Sequence, residues 1–262
     1  MKRSSGVRLC ATAAVSALSL ALVTGCSDGG SKDSGDGGGA DGKPAAKALS
    51  AAELKNLIVA EGEVPGYKVG AVPASRAKPI TPDGVACGPL ARVMSGLPPA
   101  AAAAQTDRLV TENQKKDPTD KATSLDDMAD GKFEDAINKS MDRDVTTVSL
   151  SSYDGDGAAK ALKAVSDAVK ACGDGFSGEQ AGTKMKFTKV AEEKSSGTGD
   201  ESVAFAATSD MEDGDTAPVY AEVVRHGNTV ASYFTMNIGA MMTKKTYAVS
   251  PEVVKAQSAK LK

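Results

Sequence analysis

The second half of the chain alternates apolar and polar residues with the period of two that β-strands require. Between turns rich in Gly, Ser and Asp, this alternation runs through residues 144–153, 183–191, 201–208, 218–225 and 229–237. The turn at His226-Gly227-Asn228 is typical of a hairpin, because Gly and Asn tolerate positive φ. The pattern therefore predicts five strands, of which the last four pair as an antiparallel meander.

Apolar residues with helical spacing occur on both sides of these strands. Ser50 and Glu53 have the spacing of a capping box and precede a first helix, which we expect to end near Gly62. A short helix opens at Cys87, a longer one covers residues 158–172, and a last one starts at Ser250-Pro251. The chain is therefore predicted to form an α+β domain, with an antiparallel sheet packed by helices.

The pattern is weakest between residues 98 and 141. Two prolines and five alanines precede a possible strand at residues 109–111, and a charged stretch leads to a weak helix near residues 133–141. The acids and lysines of this segment are typical of a solvated surface, and a lid over a functional site is the alternative.

Composition restricts the possible partners. Aromatic residues make up 4% of the chain and Trp is absent, so the core must be mainly aliphatic. Without residues 1–25 the chain keeps 28 basic residues against 34 acidic ones, and no basic cluster exceeds two residues. Nucleic-acid binding needs a basic patch, so we expect no nucleic acid as a partner.

The N-terminus has the organisation of an exported lipoprotein. Lys2, Arg3 and Arg8 precede an apolar run at residues 9–23, which is too short to span a bilayer. The following Val23-Thr24-Gly25-Cys26 resembles a lipobox, whose cysteine receives a diacylglycerol; an ordinary secretory signal is the alternative. We therefore predict a signal peptide at residues 1–25, followed at residues 26–48 by a lipidated Cys26 and a flexible Gly-rich tether. Residues 49–262 are predicted to form one extracytoplasmic domain, which the lipid holds at the membrane face.

Export also constrains the remaining cysteines. Cys10 leaves with the signal peptide and Cys26 carries the lipid, so Cys87 and Cys172 stay in an oxidising compartment. Both lie on predicted apolar helix faces. We predict a disulfide between them, with two buried free thiols as the alternative.

The residues offer little catalytic or metal-binding chemistry. His226 is the only histidine and lies in a predicted turn, where we expect it to be exposed. Asp154, Asp156 and Glu201 are the best candidates for a carboxylate hydrolase. The acids at 154–156 and 210–215 are typical of turns and helix caps, although calcium binding stays open. No nucleotide-binding glycine motif follows a strand, so no cofactor is predicted and the protein is not expected to be an enzyme.

Methionines cluster near the end of the last predicted strand. Met236 lies on its apolar face, Met241 and Met242 follow closely, and Met211 is a possible fourth member. Such flexible thioethers can line an adaptable apolar pocket, although they more often fill a core.

Several motifs together resemble actinobacterial cell-envelope lipoproteins similar to the PknH-type extracellular sensor domain. They cover most of residues 50–262 and comprise Pro65-Gly66-Tyr67, Ala86 to Leu90, the strand and helix at 149–172, Gly199 to Val203, Val223 to Gly227, Gln257 and Lys260-Leu261. The resemblance implies an extracellular antiparallel sheet packed by helices and held by a disulfide. This chain differs from the extracellular sensor domains of those kinases in its single cysteine pair. It also carries no kinase domain.

These features favour a membrane-anchored, non-catalytic binding or sensing module of the cell envelope. Its ligand could be a small molecule, a lipid, a glycan fragment or an envelope protein. A structural or assembly protein is the first alternative, and the carboxylate hydrolase is the second.

Overall fold

Nine antiparallel strands form one sheet in the part of the chain that the structure describes. The structure is a computed structural model, and it describes residues 46–74, 78–114, 137–138, 140–211 and 214–262. The spatial order is β1-β3-β4-β9-β8-β7-β6-β5-β2. The strands are β1 (Tyr67–Gly70), β2 (Thr81–Pro82), β3 (Ala104–Glu112), β4 (Val145–Ser152), β5 (Phe176–Gln180), β6 (Thr183–Glu193), β7 (Glu201–Asp210), β8 (Thr216–His226) and β9 (Thr229–Met236).

Helices cover both faces of this sheet. They are α1 (Ala51–Leu57), α2 (Gly88–Met94) after a 3-10 turn at Val85–Cys87, α3 (Gly157–Ala171), α4 (Ile238–Thr243) and α5 (Pro251–Ala259). The side that packs on α2 and α3 is the first face, and the side that packs on α1 and α5 is the second face. The predicted α+β class, with an antiparallel sheet packed by helices, is confirmed.

The apolar alternation of the central strands serves both cores. Val219, Ala221 and Val223 of β8 point to the first face, as the sequence pattern predicts, while Val224 points to the second face. In β4 every residue from Thr146 to Ser152 is buried, including the serines and threonines that the pattern would leave on a polar side. The inner strands are therefore enclosed by helices on both sides.

Local signals explain where the helices begin. The Ser50 side chain accepts a hydrogen bond from the Glu53 backbone N–H, and the Glu53 carboxylate accepts one from Ser50 N at 2.8 Å, which completes the predicted capping box. Ser50 thus fixes the start of α1, but the helix ends at Leu57 instead of near Gly62, because Ile58 is already extended. Ser250 and Pro251 start α5 as predicted.

A disulfide joins the two helices of the first face. The sulfur atoms of Cys87 and Cys172 are bonded, and both residues are buried. Cys87 ends the 3-10 turn before α2, and Cys172 caps the end of α3. The predicted pairing is confirmed, and it fixes the position of α2 against α3.

Three elements, β2, β5 and α4, were not predicted from the sequence. The strand β5 contains Gly178, where a Cβ atom would meet Thr81 O at 2.7 Å, so the pairing of β5 with β2 requires glycine. The helix α4 is a single short segment that follows β9. The possible strand at 109–111 is the end of the longer β3.

The N-terminal predictions lie mostly outside the described residues, as do residues 115–136 of the charged segment. Cys26, the signal peptide and most of the tether are among them. Residues 46–48, which the sequence assigns to the tether, contact the domain: Gly155 N donates to Ala46 O, and Ala48 N donates to Asp154 Oδ1 at 2.9 Å. Among the described residues, no helix is both long and apolar enough to cross a bilayer.

Candidate functional site

A cavity of about 240 Å³ lies on the first face, at the end of the sheet where β4 and β8 begin and β9 ends. We call it the methionine pocket, because Met94, Met185, Met236 and Met241 line it. These four side chains come from α2, β6, β9 and α4, so the pocket forms only when all four elements are in place.

The floor of the methionine pocket is the sheet itself. Val219 of β8, Phe234 of β9 and Thr147 of β4 line it. Phe234 is the cross-strand neighbour of Thr147 on one side and of Ala221 on the other. The floor is therefore apolar apart from one threonine.

The α2 side of the pocket is held by hydrogen bonds as well as by the disulfide. Ser95 Oγ donates to Ala91 O at 2.7 Å and accepts from Ile80 N at 2.8 Å. Because its hydroxyl is already paired, Ser95 adds little polarity to the pocket that it lines.

The opposite walls are the β5–β6 hairpin and α4. Phe187 of β6 lines the pocket and stacks at a tilt on Phe176, with ring centroids 4.8 Å apart. The start of α4 is fixed by Asn237, whose side chain accepts from Ala240 N at 2.9 Å. Gly239 lies against the backbone of Asn138 and Asp142, where a Cβ atom has no room. These contacts hold Met241 at the pocket wall.

Two of the methionines that the sequence groups together line the pocket, and two do not. Met236 and Met241 line it, whereas Met242 and Met211 are 58% and 45% exposed and lie outside its lining. Met94 and Met185 were not predicted as members. Their sequence positions are far apart, and only the sheet topology brings them together.

The chemistry of the methionine pocket is that of a binding site. None of the described residues that line it has an ionisable side chain, and the polar ones are Ser95, Thr147, Gln180 and Ser209. Gln180 Nε2 already donates to Lys78 O at 2.7 Å. An apolar cavity of this kind is suited to holding an uncharged apolar group.

The carboxylates considered for hydrolysis each have a separate structural contact. The Asp156 side chain is 71% exposed and pairs with Lys160 at 2.9 Å, an interaction that lowers the pKa of Asp156. Glu201 is 60% exposed at its side chain and pairs with Arg225 at 3.3 Å. Asp154 is exposed and accepts from Ala48 N. None of the three lines the methionine pocket.

His226 is the last residue of β8 and is only partly exposed, so the expectation of an exposed turn residue is wrong. Its Nε2 atom is buried and has no hydrogen-bond partner among the described residues. Burial has the largest effect on the pKa of His226 and lowers it. The charge of Asp200 raises this pKa, and the charge of Arg225 lowers it.

Three of the acids considered for calcium binding, Asp156, Asp210 and Asp215, pair with lysines, while Asp154 accepts a hydrogen bond from Ala48 N. Asp210 pairs with Lys186 at 3.1 Å, and Asp215 pairs with Lys244 at 2.8 Å. Within the described ranges, no group of three or more His, Cys, Asp or Glu residues could hold a metal ion.

The chain has a structural likeness to a solved extracellular domain. No family model matches the chain, and no curated protein sequence matches it. Among solved structures, the chain is similar to the extracellular domain of PknH from Mycobacterium tuberculosis, at 12% sequence identity and a TM-score of 0.48. The match covers 82% of this chain and 95% of that one.

Proposed function

We propose that the protein is a non-catalytic binding or sensing module of the cell envelope, and that it holds a small apolar molecule in the methionine pocket. The observation that carries the proposal is the pocket itself, an apolar cavity lined by four methionines and two phenylalanines, with no ionisable group among the described residues of its lining. Methionine side chains adapt to ligands of different shape, which suits recognition of flexible apolar chains.

The size of the pocket restricts the ligand. Cavities that enclose drug-sized molecules are roughly 300–1,000 Å³, and this one is about 240 Å³. The end of an acyl or isoprenoid chain is therefore a better fit than a ring system or a sugar. Burial of about six methylene groups would contribute about 5 kcal/mol, equivalent to a Kd of roughly 0.2 mM before other contacts are added.

The cellular setting of the proposal comes from the sequence. Lipidation at Cys26 would hold the domain at the extracytoplasmic face of the cell membrane, where lipids and their precursors are abundant. The tether would let the domain reach ligands at some distance from the bilayer surface. An acyl chain or an apolar envelope precursor is then an available ligand.

Site-resolved NMR with octan-1-ol tests the proposal. With ¹³C-labelled methionine methyl groups, we expect the signals of Met94, Met185, Met236 and Met241 to move on titration. The exposed Met211 and Met242 serve as internal controls and should not move. Equal shifts at all methionines would indicate nonspecific association and would contradict a defined pocket.

A matched pair of variants locates the binding. Ser209 lines the pocket, and its neighbour Thr208 does not; adjacent strand residues point to opposite faces of a sheet. Ser209→Phe should fill the pocket and weaken octan-1-ol binding at least tenfold, while Thr208→Phe should leave it within twofold. Unchanged binding in Ser209→Phe would place the octan-1-ol site elsewhere.

A further inference from the structure

A second, larger cavity lies on the opposite face of the sheet from the methionine pocket. Its volume is about 650 Å³, and we call it the groove. Its floor is formed by β7 and β8, one wall by the loop at residues 194–200, and the other by the segment that leads into α5. The groove shares no lining residue with the methionine pocket.

Small residues on β7 create the groove. Ala204 is the cross-strand neighbour of Glu222 on one side and of Glu193 on the other, and Ala206 is the neighbour of Tyr220. Alanine between longer side chains leaves a trough along β7. Because α5 packs over β8 and β9 through Val253 and Val254, no helix of the described part of the chain fills this trough.

Glu222 is a buried carboxylate at the side of this trough. It is only 4% exposed and lines the groove. Its Oε1 atom accepts two hydrogen bonds from Ser196, one from the backbone N–H at 2.8 Å and one from Oγ at 2.6 Å. Its Oε2 atom accepts none from the described residues, so half of the carboxylate remains available to a ligand.

No cation compensates the charge of Glu222 within the described part of the chain. Lys194 and Lys255 line the groove but are exposed, and no salt bridge joins either of them to Glu222. Burial of an unpaired carboxylate is costly, and a positively charged partner would offset that cost.

A second buried polar group lies beside Glu222. Tyr233 is its cross-strand neighbour on β9 and is completely buried, and its hydroxyl has no hydrogen-bond partner of normal geometry among the described residues. Burial raises the pKa of Tyr233, while the nearby Ser258 hydroxyl lowers it and Glu222 raises it. The Tyr233 hydroxyl, on the strand next to Glu222, is therefore a buried polar group without such a partner in the described part of the chain, which is rare in native proteins.

We propose that the groove binds a small amphiphilic amine. The ammonium group donates to Glu222 Oε2, and the apolar body lies on the trough formed by Ala204, with Tyr220 and Val249 beside it. A hydrogen-bond donor is required because an ionised carboxylate only accepts. The positive charge of an amine supplies the missing counter-ion, which an alcohol cannot do and a carboxylate would oppose.

The first test compares three probes of equal chain length on the wild-type protein: octylamine, octan-1-ol and octanoate. Methyl NMR signals of Ala204 and Val249 report on the groove, and those of the pocket methionines report on the other site. We expect octylamine to bind in the groove at least tenfold more tightly than octan-1-ol, and octanoate more weakly still. Equal groove affinities for octylamine and octan-1-ol would overturn the proposal.

The second test uses two charge-neutralising variants. Glu193→Gln and Glu222→Gln each remove one negative charge from the groove lining, but Glu193 is exposed at the rim and Glu222 is buried. Octylamine binding should weaken at least tenfold in Glu222→Gln and stay within twofold in Glu193→Gln. Equal losses of octylamine affinity in both variants would mean that nonspecific electrostatic attraction at the rim of the groove holds the amine. If Glu222→Gln does not fold, the comparison of the three probes decides the question.

Discussion

The disulfide between Cys87 and Cys172 should supply a large part of the stability of the domain. The two cysteines are 85 residues apart in sequence. In the chain-entropy estimate, a cross-link that closes a loop of this length stabilises the folded state by about 4.5 kcal/mol. Because typical domains are stable by roughly 5–15 kcal/mol, we expect the double variant Cys87→Ala with Cys172→Ala to be marginally stable.

Urea unfolding followed by circular dichroism measures this loss. With a slope of about 2.5 kcal/mol per molar urea, the midpoint should fall by about 2 M relative to the oxidised wild type. Val85→Ala is a matched control, since Val85 belongs to the same 3-10 turn but is 97% exposed. Its unfolding free energy should change by less than about 0.5 kcal/mol.

The same double variant tests the position of the pocket wall. The helix α2 carries Met94 to the methionine pocket, and the disulfide joins the turn before α2 to the end of α3. We expect octan-1-ol to bind the folded double variant several-fold more weakly. A loss of stability below about 1.5 kcal/mol, together with unchanged octan-1-ol affinity, would refute the role assigned to the disulfide.

Three further predictions concern other parts of the domain. The side chain of Gln257 is fully buried, and it accepts a hydrogen bond from Val59 N and donates one to Leu57 O, each at 2.9 Å. Gln257→Leu should therefore lower the free energy of unfolding in urea by about 2–4 kcal/mol. A decrease below about 1 kcal/mol would contradict this prediction. His226 has a lowered pKa in the folded state, so the unfolded state binds its proton more readily. The free energy of unfolding should therefore fall as the pH drops from about 7 through the unfolded-state pKa of about 6.5. His226→Gln should make the free energy of unfolding less dependent on pH in this range. An unchanged pH dependence in His226→Gln would argue against burial of the imidazole. Gly239→Ala should displace α4 and shift the Met241 methyl signal, and an unchanged spectrum would mean that the close backbone contacts relax easily.

The sequence predicts the elements whose periodicity is long and regular. The strands β4, β6, β7, β8 and β9 and the amphipathic α3 all have clear patterns, and local capping signals mark the starts of α1 and α5. The short β2, β5 and α4 have no such pattern. Their formation depends on tertiary contacts, such as the close approach of Gly178 to Thr81, which sequence spacing does not encode.

The two cavities differ in how far the sequence indicates them. Met236 and Met241 are close in sequence and do line one pocket, but Met94 and Met185 join them through strand pairing over long separations. Glu222 alternates with Ala221 and Val223, so the pattern alone would place it on a polar, solvated face. It is buried instead, and Ser196 of the loop at residues 194–200 donates two hydrogen bonds to it.

Native mass spectrometry of the full-length protein, gently extracted from its own membranes, tests the central claim most directly. We expect a non-covalent adduct of a small apolar molecule, in addition to any covalent modification of the N-terminus. The adduct should persist in Thr208→Phe and disappear in Ser209→Phe. A mass without a non-covalent adduct, combined with no octan-1-ol shifts at the pocket methionines, would contradict the assignment of the methionine pocket as a ligand site.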